Sequence, residues 1–144
     1  MSKAETAVNT FGDNNCAQSV LRAFADRFKL DTDTALQVAV GFGAGFGRHQ
    51  SVCGAISGAV MVLGLASKFT KEDGRPKINE VYATVHRFIN DFSAKEGAVT
   101  CRDLLKCDLT TEEGMAYFRE HNLRENCKGY IKTCCELLDQ YLEG

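Results

Sequence analysis

Any chemistry in this sequence has to be built on sulfur. Seven cysteines, Cys16, Cys53, Cys101, Cys107, Cys127, Cys134 and Cys135, stand in a chain of 144 residues. In a reducing cytosol, thiols at this density bind metal, carry out redox chemistry or fill the core as small hydrophobes. No CxxC pair occurs, which removes the usual zinc-ribbon and thioredoxin-like signatures, and without CxxCH no covalent haem is predicted. A secreted disulfide scaffold would be smaller, even in cysteine count and preceded by a signal.

Cys16, Cys53 and Cys101 share one setting: each falls in the first turn of a predicted helix. There the orphan N–H groups and the positive end of the dipole favour a thiolate and lower its pKa. Cys127 also lies near a helix start, after Asn122 and Arg124. Were four helix ends to meet, Cys16, Cys53, Cys101 and Cys127 would suit an iron–sulfur cluster, which takes four cysteine ligands, or a tetrahedral zinc. They would equally suit redox-active disulfides, with Cys53 attacking and Cys16 or Cys101 resolving. The plain alternative is that all four are buried filler in helix seams.

The remaining cysteines are weaker candidates. Cys127 and Cys134 share a helix face but lie roughly 10.5 Å apart along a straight helix, beyond the ~7 Å a disulfide can span. Cys134 nevertheless rivals Cys127 for the fourth position. Cys134 and Cys135 point in different directions, and Cys107 would serve as a spare ligand or resolving thiol. Among the histidines, His49 precedes Cys53 by four residues and, with Arg48, could bias that thiol toward thiolate. His86 flanks an apolar stripe, and His121 sits at a polar helix end facing C-terminal carbonyls. No serine–histidine–acid set or carboxylate dyad is present.

The elements that must position these thiols are helical almost throughout, with Pro76 the one proline. Helices are predicted over Lys3–Thr10, over Cys16–Phe28 behind an Asn14 or Asn15 cap, and from Asp31 or Thr32 to Val40. The stretch Gly41–Ala66 then places Gly41, Gly43, Gly45 and Gly47 at alternate positions before an uncharged helix from Val52 to Ala66. Its glycines do not have the spacing of a dinucleotide fingerprint, and no strand precedes them. Gly54 and Gly58, with Ala55 and Ala59, form a small-residue groove in which another helix can settle. Lys77–Glu96 is amphipathic, with Ile78, Val81, Tyr82, Val85, Phe88, Ile89 and Phe92 inward and Gly97 ending it. A short helix follows Thr100, another opens at Thr110 or Thr111, and the last runs over Leu123–Leu142. The fold class is all-α: a compact bundle of about six or seven helices, with a Gly-rich turn before a buried central helix.

Composition narrows the function classes. A formal charge of −2 with both signs interspersed leaves no basic block to meet nucleic acid phosphates. Val52–Ala66 falls short of the ~20 residues that cross a bilayer, and the N-terminus has no apolar h-region, so a soluble, cytoplasmic protein is expected. The length fits one domain over 1–144 with a core of its own.

With these residues in place, the chain resembles the C_GCAxxG_C_C family of small proteins regarded as redox-active. The resemblance rests on Asn15-Cys16-Ala17-Gln18, on Gly41-Phe42-Gly43 with Gly47-Arg48, and on the CGAxxG run Cys53-Gly54-Ala55-Ile56-Ser57-Gly58. Cys101-Arg102-Asp103-Leu104-Leu105 and Cys127 complete it, over roughly residues 5–142. It implies a helical redox or metal-binding module whose shared cysteines are Cys16, Cys53, Cys101 and Cys127, and it supplies no reaction. The expectation is thus a redox protein holding an iron–sulfur cluster or zinc on those thiols for electron transfer, with a redox partner protein. The rivals are a metal-free thiol–disulfide protein and a non-catalytic helical module that packs a partner helix or a second copy of itself.

Overall fold

The structure, a computed structural model, describes residues 1–143. Right-handed helices cover Lys3–Thr10 (α1), Cys16–Ala25 (α2), Thr32–Ala39 (α3), Gly54–Ser67 (α4), Arg75–Glu96 (α5), Cys101–Leu105 (α6), Glu112–Glu120 (α7) and Arg124–Glu143 (α8). Single 3-10 turns, Asp26–Phe28 and Val40–Phe42, extend α2 and α3. Among the described residues no strand occurs, only isolated bridges, and the fold is all-α as the periodicity predicts. Each of the eight helices matches a segment read from the sequence, the short helix after Thr100 included, so the bundle has slightly more helices than the six or seven expected.

Helix starts follow local side-chain chemistry. Ser2, Asn15, Asp31, Thr100 and Thr111 each accept a hydrogen bond from the backbone N–H three residues ahead, opening α1, α2, α3, α6 and α7. Each such cap stabilises its helix by about 1 kcal/mol. At α2 the cap is reciprocal: Gln18 returns a hydrogen bond to the Asn15 N–H. The same two side chains reach across to α3, Asn15 donating to Val40 O at 2.8 Å and Gln18 to Leu36 O at 3.1 Å. One capping box therefore also docks the next helix.

The core lies where α2, α4 and α8 meet, with α1 and α5 closing the sides. Helix α4 carries no charge, and neighbours on several sides cover its apolar surface. Its crossing with α2 is backbone-close: a Cβ at Gly58 would lie 2.6 Å from Ala17 O and 3.1 Å from Val20 Cβ, and one at Gly54 would overlap Cys16 Sγ. Phe24, Ile56, Val62, Ile131 and Leu138 fill the centre and are fully buried. Helix α5 keeps its expected apolar face apart from Tyr82, with Val85 and Ile89 packed against the core. Only Phe88 and Phe92 are buried along it, and Tyr82 is 61% exposed. At about 33 Å for 22 residues, α5 is longer than the 14-residue α4 it packs on, and Ile78, Val81 and Val85 in its first half are only half-buried.

The Gly-rich segment between α3 and α4 is more than a stop signal. Residues Ala44, Gly45, Phe46, Gly47 and Arg48 all have positive φ, between 53° and 69°, and Gln50 follows at 58°. They form a left-handed turn closed by the Gly47 N–H on Gly43 O at 2.8 Å. For L-residues this conformation costs roughly 1–2 kcal/mol each, so Ala44, Phe46, Arg48 and Gln50 are held there by their surroundings.

The crossing yields a direct test. Gly58→Ala should destabilise the chain by about 1–3 kcal/mol through overpacking, although alanine gains ~1 kcal/mol in helix propensity. Gly64, in the same helix with nothing within 4 Å of a built Cβ, is the control, and Gly64→Ala should be neutral or stabilising. Urea unfolding that gives equal shifts for the two variants would contradict a backbone-close crossing.

Candidate four-cysteine site

Each of the four thiols lies at or near the start of a different helix. Cys16 is the first residue of α2, directly after the Asn15 cap. Cys53 is the N-cap of α4, and Cys101 the first residue of α6, after the Thr100 cap. Cys127 is the fourth residue of α8. The α2–α4 crossing at Gly54 sets the Cys16 sulfur against the turn that begins with Cys53.

Cys53 and Cys101 are joined by a feature that helical periodicity could not reveal. Residues 50–53 run antiparallel to 99–102, with a bridge between Val52 and Thr100. Cys53 N donates to Val99 O at 2.8 Å, Cys101 N to Ser51 O at 2.7 Å, and Arg102 N to Gln50 O at 3.2 Å. Cys127 is brought in by the start of α8. Arg124 donates to Phe11 O at 2.8 Å and lies over the Phe11 ring, while Tyr130 OH donates to Leu104 O at 3.3 Å.

The result is a cavity of about 150 Å³ with all four thiols in its wall. Phe11, Leu104, Leu105, Leu109 and Phe118 supply most of the rest, and no charged side chain lines it. Ala44, from the left-handed turn, closes one side. Sequence reasoning singled out the four thiols but missed Phe11, Ala44 and Phe118. Their contribution is shape, and no periodic or spacing signal marks that. Cys107, Cys134 and Cys135 do not line this cavity. Cys107 packs beside Cys101 in a small satellite cluster, and Cys134 and Cys135 are wholly buried in the main core. All seven cysteines are free.

The electrostatics correct the expectation of activated thiolates. Burial pushes the Cys16 thiol up, and the backbone N–H groups of Ala44, Ala17 and Gly54 offset this only in part. Cys53 is raised too, first by burial and then by its neighbour Cys16, against the amides of Ala55 and Ile56. Burial raises Cys101 to about 11, with the Gln50 side chain acting the other way. Cys127 rises to about 12 through burial, Cys16 and Cys101, opposed by Arg124. Helix N-termini do face these sulfurs, but an apolar wall costs a thiolate more than partial charges return. Arg48 and His49 do not offset it: both are exposed, and His49 Nδ1 sits 3.0 Å from Ser51 Oγ. His86 is exposed too, and His121 Nδ1 meets Tyr117 O at 3.0 Å, as its helix-end position suggested.

Such a site holds neutral, soft donors in a largely apolar, uncharged chamber. These thiols are weak nucleophiles as they stand, since the thiolate is the reactive form. Among the described residues no three His, Cys, Asp or Glu side chains are arranged to hold one metal ion. The family model described as "Putative redox-active protein (C_GCAxxG_C_C)" matches residues 14–141. The chain belongs to that family. No curated protein and no solved structure matches it. The matched span contains all four cavity cysteines, together with α2 to α7 and most of α8.

The raised thiols set the pH dependence of the metal-free protein. Between about pH 9 and pH 11 the unfolded chain sheds the Cys101 proton while the folded chain keeps it. The folded state then binds more protons, and stability falls as pH rises. The loss reaches on the order of 2–3 kcal/mol for this thiol at about 1.4 kcal/mol per unit. In urea unfolding under reductant, the stability gap between the natural chain and Cys101→Ala should therefore shift against the natural chain across this window. A gap independent of pH would contradict the burial argument.

Proposed function

We propose that this member of the C_GCAxxG_C_C family transfers electrons through an iron–sulfur cluster held by Cys16, Cys53, Cys101 and Cys127. The observation that carries the reading is the convergence of four thiols, from four separate chain segments, on one cavity without a charged side chain. Cysteine thiolates are the usual ligands of such clusters, and a bound cluster supplies one-electron chemistry. Its metal charge would offset what burial withholds from the thiolates, and binding would release their protons. Among the described residues no three of these side chains are spaced for a single metal ion. Zinc is the weaker form of the proposal for that reason.

The chain's own contribution is to hold and shield. The α2–α4 crossing fixes Cys16 beside Gly54, the antiparallel clasp fixes Cys53 and Cys101, and Phe11, Leu105 and Phe118 keep water from the sulfurs. Seven free thiols fit a reducing compartment, and the cytoplasm is the proposed location. No described helix is long and apolar enough to cross a membrane. A redox partner protein would exchange electrons at the cavity rim.

A metal-free thiol–disulfide reaction is the second reading, favoured by the closeness of Cys16 to the first turn of α4. It requires Cys53 to ionise against its burial, which weighs against Cys53 as the attacking thiol.

Anaerobic reconstitution with ferrous iron and sulfide separates the two. The expected product is a coloured protein with bound iron and sulfide, lost on replacing any one of Cys16, Cys53, Cys101 or Cys127 by alanine and kept in Cys135→Ala. A colourless, iron-free chain after reconstitution would sink the proposal. A single disulfide found by thiol labelling in that colourless chain would support the second reading.

A further inference from the structure

Gln50 stands just outside the cavity, and neither the helical pattern nor the cysteine spacing gives it a role. It is 5% exposed and sits at a φ of 58°. Glycine would adopt this backbone freely, so what Gln50 contributes lies in its side chain. The carboxamide is fully used. Oε1 accepts from Leu109 N at 2.9 Å, and Nε2 donates to Cys107 O at 2.9 Å and to Cys101 Sγ at 3.8 Å. Its backbone carbonyl accepts from Arg102 N at 3.2 Å. One residue thus grips the first turn of α6 and the segment that leaves it.

The consequence concerns the choice between two neighbouring thiols. Cys101 and Cys107 belong to one small apolar cluster, yet only Cys101 lines the cavity. The bonds to Cys107 O and Leu109 N anchor the backbone around Cys107, while the third contact meets the Cys101 sulfur itself. We propose that Gln50 is a positioning residue of the four-cysteine site, holding Cys101 Sγ in the cavity wall, supplying it with an N–H donor and keeping Cys107 out. The role at the centre rests on the function proposed above; the positioning itself does not.

The test uses the full chain, reduced and metal-free, with residue-resolved iodoacetamide labelling read by mass spectrometry. Gln50→Met keeps similar bulk and removes every side-chain hydrogen bond. Gln50→Glu keeps the acceptor for Leu109 and, when ionised, loses the donors. In both, Cys101 labelling should rise on the order of tenfold as its turn is released, while fully buried Cys134 stays at the natural rate. Cys101 labelling within about twofold of the natural chain in both variants, on the same scale, would overturn the proposal. So would Cys134 rising in step with Cys101 in both, which would mark a general loss of stability.

A second readout addresses the donor. In chain reconstituted with iron and sulfide, Gln50→Met should lower the reduction potential at unchanged iron content, because a hydrogen bond to sulfur favours the more negative reduced state. An unchanged potential would remove the donor role. If the natural chain takes up no iron, the redox proposal fails and the labelling comparison still decides the positioning.

Discussion

The crossing of α2 and α4 is the constraint on which the rest depends. Gly58 lets the Ala17 carbonyl approach to a distance that no Cβ could tolerate, and Gly54 leaves the Cys16 sulfur its place. Because Cys16 opens α2 and Cys53 caps α4, this contact brings the starts of both helices to one corner of the molecule. Helix α8 then packs across both, and its first turn adds Cys127. Glycines inside α4 give up ~1 kcal/mol each of helix propensity. Close helix packing returns it in dispersion and buried apolar surface.

Local strain gathers at the same corner. The left-handed turn Ala44–Arg48 has non-glycine residues where glycine would be cheaper, and Ala44 forms part of the cavity wall. A wide right-handed loop would not bring the Ala44 N–H to the Cys16 sulfur or Gln50 to Cys101. Strained backbone of this kind persists where the surroundings over-determine it, and such places cluster at functional sites.

Two effects compete over the charge of the thiols. Helix starts and backbone N–H groups favour thiolates, as the positions of Cys16, Cys53 and Cys101 suggest from sequence. The apolar enclosure favours neutral thiols, and it wins at every cavity cysteine. Dipoles act with partial charges, whereas the wall removes nearly all of the hydration an anion would have. Thiols held this way are poor nucleophiles, because the thiolate is the reactive form.

The sequence by itself determined the helices and their caps. Lys3–Thr10, the Asn15 and Thr100 caps and the stop at Gly97 are local features, set by side chains within a few residues of the backbone they satisfy. It also marked the four cysteines that share the cavity, through their places near helix starts and the CGAxxG run. Tertiary structure alone decided three things. It paired residues 50–53 with 99–102, a contact between segments nearly fifty positions apart that no periodicity encodes. It put Cys127 at the cavity and Cys134 in the core, although both lie on one face of α8, because two turns of helix separate the cavity from the packed centre. And it reversed the expected acidity of the thiols, since a helix start is visible in a sequence while the apolar wall around it is assembled from residues scattered from Phe11 to Tyr130.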